Sequence, residues 1–303
     1  MESLLTAIFS GTAQGSIYAL VSLGLVLVWR GAGVVNFAQM GQAMFTTYIA
    51  SQMIQNDYSY WSAFVVALAA GGLLGGLVDL GLMRPLTSRK NSQLLNSQSM
   101  RNAIPIIASL GILGILKALA GIIWAGEERG FPGPVQPNPI SFGSTNLAIT
   151  SFDLFVIAVV FFTLLLTTIF FTKTGMGLAM RASALNPEVT RLSGIKVSWV
   201  RTLGWIISGT ASSLAGLLIT PRTNLSPNTL DLLLIIGFTA AVVGGLTSLA
   251  GAVLGGFILG YVISFVSVYS APENVFIAIL LFLLFALFVR PQGILGSKEV
   301  RRV

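Results

Sequence analysis

The sequence predicts an all-α polytopic membrane protein, a helical bundle of about eight or nine spans. Three observations predict it. Only 9% of the 303 residues are charged and 54% are hydrophobic, whereas a soluble domain carries about a quarter charged residues. Apolar runs long enough to cross a bilayer recur along the whole chain. The Lys and Arg residues gather in 84–102, in 173–199 and in the tail, while 125–151 and 221–231 hold few of them. Short basic loops stay in the cytoplasm. That alternation predicts nine spans, the N-terminus outside and the C-terminus cytoplasmic, with residues 1–303 as a single transmembrane domain.

Composition also excludes chemistry. There is no Cys and no His, so thiolate or imidazole metal sites and Ser-His-Asp or Cys-His nucleophiles are absent. No paired carboxylates suggest acid–base catalysis, and an enzyme is not expected. No Gly-rich phosphate loop occurs, so the chain is not expected to bind or hydrolyse ATP itself, and no cofactor is implied. The net charge is +7, but topology accounts for the bases, and nucleic acid is not an expected partner. Glu2 and the lack of a basic start predict an uncleaved first span rather than a signal peptide.

The first span, 4–28, carries Gly11, Gln14 and Gly15, suited to helix contact. The second, 34–53, is interrupted by Asn36, Gln39 and Gln42, which are costly unless they face protein or a wet path. Tyr58, Tyr60 and Trp61 suit an interfacial belt. The third span, 62–83, holds Gly71 with Gly75 and Gly72 with Gly76, a close-packing pattern. Asp79 lies near its end. The basic stretch 84–102 follows, with Arg89, Lys90 and Arg101.

The fourth span, 103–124, contains Lys117, either facing a pathway or reaching for the surface. Residues 127–146 carry four prolines and read as an irregular outside loop. The fifth span is 152–171 and the sixth 200–220. A short segment, 232–245, precedes the eighth, 246–270, with glycines at 251, 255, 256 and 260. A ninth ends at Arg290, and the tail carries Lys298, Arg301 and Arg302. The second and seventh segments are too polar or too short for a plain span. Either can be a broken or re-entrant helix lining a cavity.

The segment 173–199 reads as a folded surface hairpin. Lys173, Arg181, Arg191 and Lys196 stand against Glu188 alone. Gly177 to Ala184 suits a helix. Asn186 offers a cap, Pro187 the first position of a second helix, and Glu188 favours the positive end of its dipole. Gly194 can close it in the left-handed conformation. The hairpin is either a docking surface or a loop that only sets topology.

Two irregular regions echo each other. GAGVVNFAQMGQAMFTTYI (31–49) parallels VVGGLTSLAGAVLGGFILGYVI (242–263), each with a Gly pair, a short polar element and a small-residue helix. The echo suggests a parallel repeat, with discontinuous helices meeting at the membrane midplane and partial charges at their ends. The expected path residues are Asn36, Gln39, Gln42, Thr247 and Ser248, with Asn36 and Gln39 opposite Ser248. The alternative is that these side chains only bond between helices.

Several stretches together carry a resemblance: RGAGVVNFAQMGQAMF (30–45), Asp79 before Arg84-Pro85-Leu86, ASLGILGILKALAGIIW (108–124), RASALNPEVTRLSGI (181–195), FTAAVVGGLTSLAGAVLGGFILG (238–260) and VRPQGILG (289–296). In this order they resemble the smaller type of branched-chain amino acid ABC transporter permease. The resemblance implies a bacterial inner-membrane importer subunit. It implies a second homologous permease subunit, two ATPase subunits, and a periplasmic or lipid-anchored substrate-binding protein as partners. It makes 173–199 the ATPase-coupling loop, with Arg181, Asn186, Pro187, Glu188, Arg191 and Gly194 as coupling residues.

One departure stands out. The family usually reads N-F/L-A-H/Q-G-E at the second segment, and here Met40-Gly41-Gln42 follows Gln39, without the carboxylate. Carriage of urea or short amides is therefore an alternative. A secondary transporter or channel is a further alternative, opposed by the absence of an acid deep in a span.

Overall fold

The computed structural model describes residues 2–86, 98–142, 145–271 and 273–296. Most of the basic stretch 84–102, with Arg89 and Lys90, and the basic tail with Lys298, Arg301 and Arg302 lie outside the described residues. The described chain is all-helical apart from one small hairpin.

In order, α1 is Glu2–Ala32, α2 Gln39–Gln55 and α3 Tyr60–Leu86, the last passing through a π turn at Asp79–Met83. Helix α4 is Gln98–Trp124. Strands β1 (Pro139–Phe142) and β2 (Thr145–Thr150) precede α5, Ser151–Lys173. Then come α6 (Gly175–Leu185), α7 (Pro187–Leu192), α8 (Val197–Ile219), α9 (Asp231–Gly244), α10 (Leu249–Tyr269) and α11 (Asn274–Val289). Among the described residues, six helices are long and apolar enough to cross a membrane: α1, α3, α4, α5, α8 and α10. Helix α9 has 14 residues, which rise about 21 Å, short of the roughly 30 Å hydrocarbon core. Helix α2 starts only at Gln39, after a coil with Gly33 at φ +69°.

Residues 127–146 are not wholly irregular. Strands β1 and β2 pair antiparallel, with Ile140 opposite Leu147 and Phe142 opposite Thr145, and the register slips beside Pro139. A proline has no N–H to give to a ladder, so it sits where the pairing breaks. The prolines concealed this hairpin in the sequence.

The chain forms two compact units. The first comprises Met1–Val26, Gly133–Leu164 and Ile235–Val303. Its core is glycine against backbone. A methyl on Gly256 would overlap Ala19, and one on Gly260 would overlap Gly15, so α10 and α1 touch along their main chains. Gly251 and Gly255, on another face of α10, meet Gly244 and Ala240 of α9 in the same way. Ser22 donates to the Ala252 carbonyl at 2.7 Å and Ser264 to that of Ala7 at 2.8 Å. Small residues with short hydroxyls are what helix contact in lipid calls for, since apolar bulk brings no advantage there.

The second unit comprises Leu27–Pro132 and Leu165–Leu234. Here α8 is the central helix. Gly71 and Gly75 of α3 press against Gly209, Ser213 and the Trp205 carbonyl of α8. Gly216 of α8 meets Ala43 and Thr47 of α2, and Thr46 shares a 2.7 Å hydrogen bond with Ser213. Trp124 at the end of α4 stacks on Tyr48 at 5.0 Å. The outer face of α4 leaves Ile107, Ile115 and Ile122 exposed, as a lipid-facing helix requires.

Candidate coupling and translocation site

The segment after α5 folds into a helical hairpin for local reasons. Thr174 caps α6 by accepting the Gly177 N–H at 3.0 Å. Asn186 breaks the helix in extended conformation (φ −152°) and accepts the N–H groups of Glu188 and Val189, both at 3.1 Å. Pro187 fills the first position of α7, where no N–H is missed. Gly194 at φ +82° ends the turn. Gly177 lies on the backbone of Phe170 and Phe171, too close for any side chain, and so pins α6 to the end of α5.

This hairpin presents apolar side chains outward. Leu185 is 86% and Leu192 87% exposed, and Val189 is 56% exposed. Val189 and Leu192 share a face of α7 by their spacing of three, with Glu188 and Arg191 beside them. Exposed apolar side chains at the tip of a well-capped hairpin make it a candidate contact surface. Arg181 is the exception among the coupling candidates: it is partly buried, with its Nε shielded.

The polar group of the second segment lies in the second unit. Asn36, Gln39 and Gln42 are all fully buried. Asn36 Oδ1 accepts the Ala38 N–H at 3.1 Å and so holds the coil that starts α2, while its Nδ2 has no partner among the described residues. Neither amide atom of Gln42 has one. Ser208 Oγ and the Tyr48 hydroxyl, also in this unit, are likewise buried without one. A buried amide left unpaired costs about 1–3 kcal/mol, so such groups are kept where water or a ligand meets them.

Thr247 and Ser248 belong to the first unit. Ser248 accepts the Gly251 N–H at 3.0 Å and caps α10, while Thr247 is exposed. Ser248 thus has a structural task of its own. The stretch before it is closed by the chain end. Ile294 donates to the Val243 carbonyl at 2.8 Å and Leu295 to that of Gly244 at 3.0 Å, satisfying the last carbonyls of α9. Gly293 (φ +80°) lies against Gly245 (φ +108°), an approach closed to any other residue.

Two ionic clusters went unread in the sequence. Asp79 is fully buried in the π turn of α3. Arg201 Nε stands 2.9 Å from its Oδ1 and Arg84 Nε 3.5 Å from its Oδ2, while the Thr202 hydroxyl donates to Oδ2 at 2.5 Å. Arg84 also donates to Thr202 Oγ1 and to the Ser198 carbonyl. The cluster ties α3 to the first two turns of α8, directly after the hairpin. Lys117 pairs with Asp231 and donates to Asn228 at 3.0 Å, so it anchors the start of α9. The sequence signal for both was an ionisable residue inside an apolar run, which calls for a partner without naming it.

Comparison with known proteins now adds identity to this geometry. The family model described as the permease component of branched-chain amino acid transport systems matches residues 7–288. The high-affinity branched-chain amino acid transport system permease protein LivH of Salmonella typhimurium is 29% identical, over 99% of this chain and 97% of its own length. A probable branched-chain amino acid transport permease protein LivH of Methanocaldococcus jannaschii is 30% identical, over 95% and 92%. Among solved structures, PsaBC from Streptococcus pneumoniae in complex with Fab aligns with a TM-score of 0.51 over 96% of this chain and 93% of that one. Its identity is 15%, so that likeness speaks of fold alone. This chain is a multi-pass membrane protein and belongs to the family of branched-chain amino acid transport permease components.

Proposed function

We propose that the chain is the membrane-spanning permease subunit of an ATP-driven importer for branched-chain amino acids. The observation that carries this reading is the full-length family match, joined to a capped hairpin whose Leu185 and Leu192 stand bare. ATPase subunits receive that hairpin in the cytoplasm, with Asn186, Pro187 and Gly194 setting its shape and Arg181, Glu188 and Arg191 its charge. A second homologous permease subunit completes the pathway, and a binding protein delivers substrate from outside. Nine crossings with the C-terminus inside fit the basic segments. The segments 84–102 and 173–199 are then cytoplasmic.

Substrate passes by Asn36, Gln39 and Gln42. A zwitterion with an apolar tail needs dipoles for its ends and no full charge that would hold it back from release. Thr247 and Ser248 form the corresponding helix start in the other half of the repeat. The buried acid Asp79 is engaged by Arg201 and Arg84, which suits a structural ion pair better than a carrier of protons or sodium.

A second reading has its own support. The carboxylate of the family pattern is missing after Gln39, where Met40-Gly41-Gln42 follows with the Gly displaced, and the buried amide of Gln42 is unpaired. An amide suits urea or a short amide, which offer the same donor and acceptor in return. Uptake of labelled leucine by cells producing the complete system, challenged with excess isoleucine, urea or acetamide, separates the two. Competition by isoleucine alone supports the amino acid; competition by urea or acetamide with none by isoleucine overturns it.

A further inference from the structure

We propose that Lys117, Asn228 and Asp231 form a receiving site for the zwitterionic head of an α-amino acid on its way into the membrane. Such a site rests on the reading above that the chain carries amino acids. It uses α4 and the start of α9, elements that the polar group of α2 leaves unengaged.

Lys117 Nζ stands 2.5 Å from Asp231 Oδ2 and donates to Asn228 Oδ1 at 3.0 Å. All three residues belong to the second unit. The pair is not sealed. The Lys117 side chain is 23% and that of Asp231 46% exposed, and Asn228 is exposed as well. Lys117 comes seven residues before Trp124, the end of α4, about 10 Å along the helix. Helix α9, 14 residues long from Asp231, falls about 9 Å short of the hydrocarbon core. By the topology proposed above both ends face outside, so the loop 223–230 dips to make up that difference. An exposed carboxylate and amide below the membrane surface meet water, since hydrocarbon would leave them unsatisfied.

Space stands open beside the ammonium. Gly114 and Gly121 lie three residues before and four after Lys117, on its face of α4. A methyl added to either would meet nothing within 4 Å. The chemistry is an exchange of partners. The substrate ammonium takes the oxygens of Asp231 and Asn228 that Lys117 now holds, and the substrate carboxylate takes the Lys117 ammonium. When the substrate moves on, Lys117 and Asp231 close on each other again. Neither charge is left alone, so full charges at this place do not hold the substrate back. Urea and short amides carry no charge and cannot enter the exchange.

The test uses spheroplasts of cells that lack their own leucine uptake and produce the complete system. The chain has no Cys, so Asn228→Cys reports water at the site and leaves the ion pair whole. A membrane-impermeant sulfonate thiosulfonate added outside should modify it at least about tenfold faster than Ile115→Cys, a position 60% exposed on α4. Excess leucine should slow the modification and excess urea should not. The variant carrying Lys117→Gln and Asp231→Asn should take up leucine at least about tenfold more slowly at equal complex levels. The exchanged pair, Lys117→Asp with Asp231→Lys, should regain the melting temperature but not the uptake, because it meets the zwitterion with its polarity reversed. Recovery of uptake in the exchanged pair makes the contact a helix anchor only and overturns the proposal. Modification no faster than at Ile115→Cys, or no protection by leucine, overturns it too. So does loss of the second permease subunit from the complex in Lys117→Gln, which makes this face a subunit interface. Full uptake by the neutral double variant removes the site and leaves the amino acid reading intact, whereas absence of leucine uptake by the wild-type system removes that reading itself.

Discussion

Arg201 stands 2.9 Å from Asp79, Nε to Oδ1, with the carboxylate fully buried and the arginine side chain 17% exposed. The pair joins the π turn of α3 to the second turn of α8. The hairpin α6–α7 ends just before α8. Removing one partner of a buried pair leaves an uncompensated charge, which costs about 3–5 kcal/mol. Asp79→Ala therefore lowers the melting temperature of the purified chain sharply, and pairing Asp79→Asn with Arg201→Gln restores much of the loss. An unchanged melting temperature in Asp79→Ala would remove the pair from the account.

The contact of Gly293 with Gly245 gives a comparison of two glycines. Gly194 and Gly293 both have positive φ, but Gly194 has nothing within 4 Å, whereas Gly293 lies on the backbone of Gly245. Gly194→Ala meets only backbone strain, about 1–2 kcal/mol. Gly293→Ala meets strain plus overlap and releases the bonds from Ile294 and Leu295 to α9. Limited proteolysis near Arg290 should rise in the Gly293 variant and not in the Gly194 variant.

Leu185→Asp and Leu192→Asp test docking. Both residues are over four-fifths exposed, so the isolated chain should melt within about 0.5 kcal/mol of wild type. Co-purification of the ATPase subunits should fall at least about tenfold, as expected when an apolar anchor is replaced by a charge. Arg191→Glu, which sets a like charge beside Glu188, should act in the same direction. Full co-purification in all of these variants would leave the hairpin a topology element only.

Gln42→Leu separates a path residue from a structural one. Replacing a buried, unpaired amide by an apolar group of similar size removes a cost of about 1–3 kcal/mol. The variant should melt higher than wild type and yet transport at least about tenfold less. Higher stability with full uptake would place the path elsewhere.

Much of the fold was legible in the sequence because lipid imposes a simple code. Each of the nine apolar segments corresponds to a helix, the paired glycines at 71, 72, 75 and 76 of α3 and at 251, 255, 256 and 260 of α10 lie at contacts, and Asn186, Pro187 and Gly194 cap and close the hairpin as their chemistry dictates. The partners of charged residues were not legible. Nothing near Asp79 in the chain names Arg201, and nothing near Lys117 names Asp231, because these meetings are set by which helices adjoin. The return of residues 293–295 onto the end of α9 was hidden for the same reason. The cap that Ser248 places on α10 was not read from its polarity.

The most direct test is uptake into proteoliposomes holding this chain, its partner permease and both ATPase subunits, with binding protein and labelled leucine outside and ATP inside. The account predicts leucine accumulation that requires both ATP and the binding protein. Accumulation that proceeds without ATP and follows a proton or sodium gradient would contradict it.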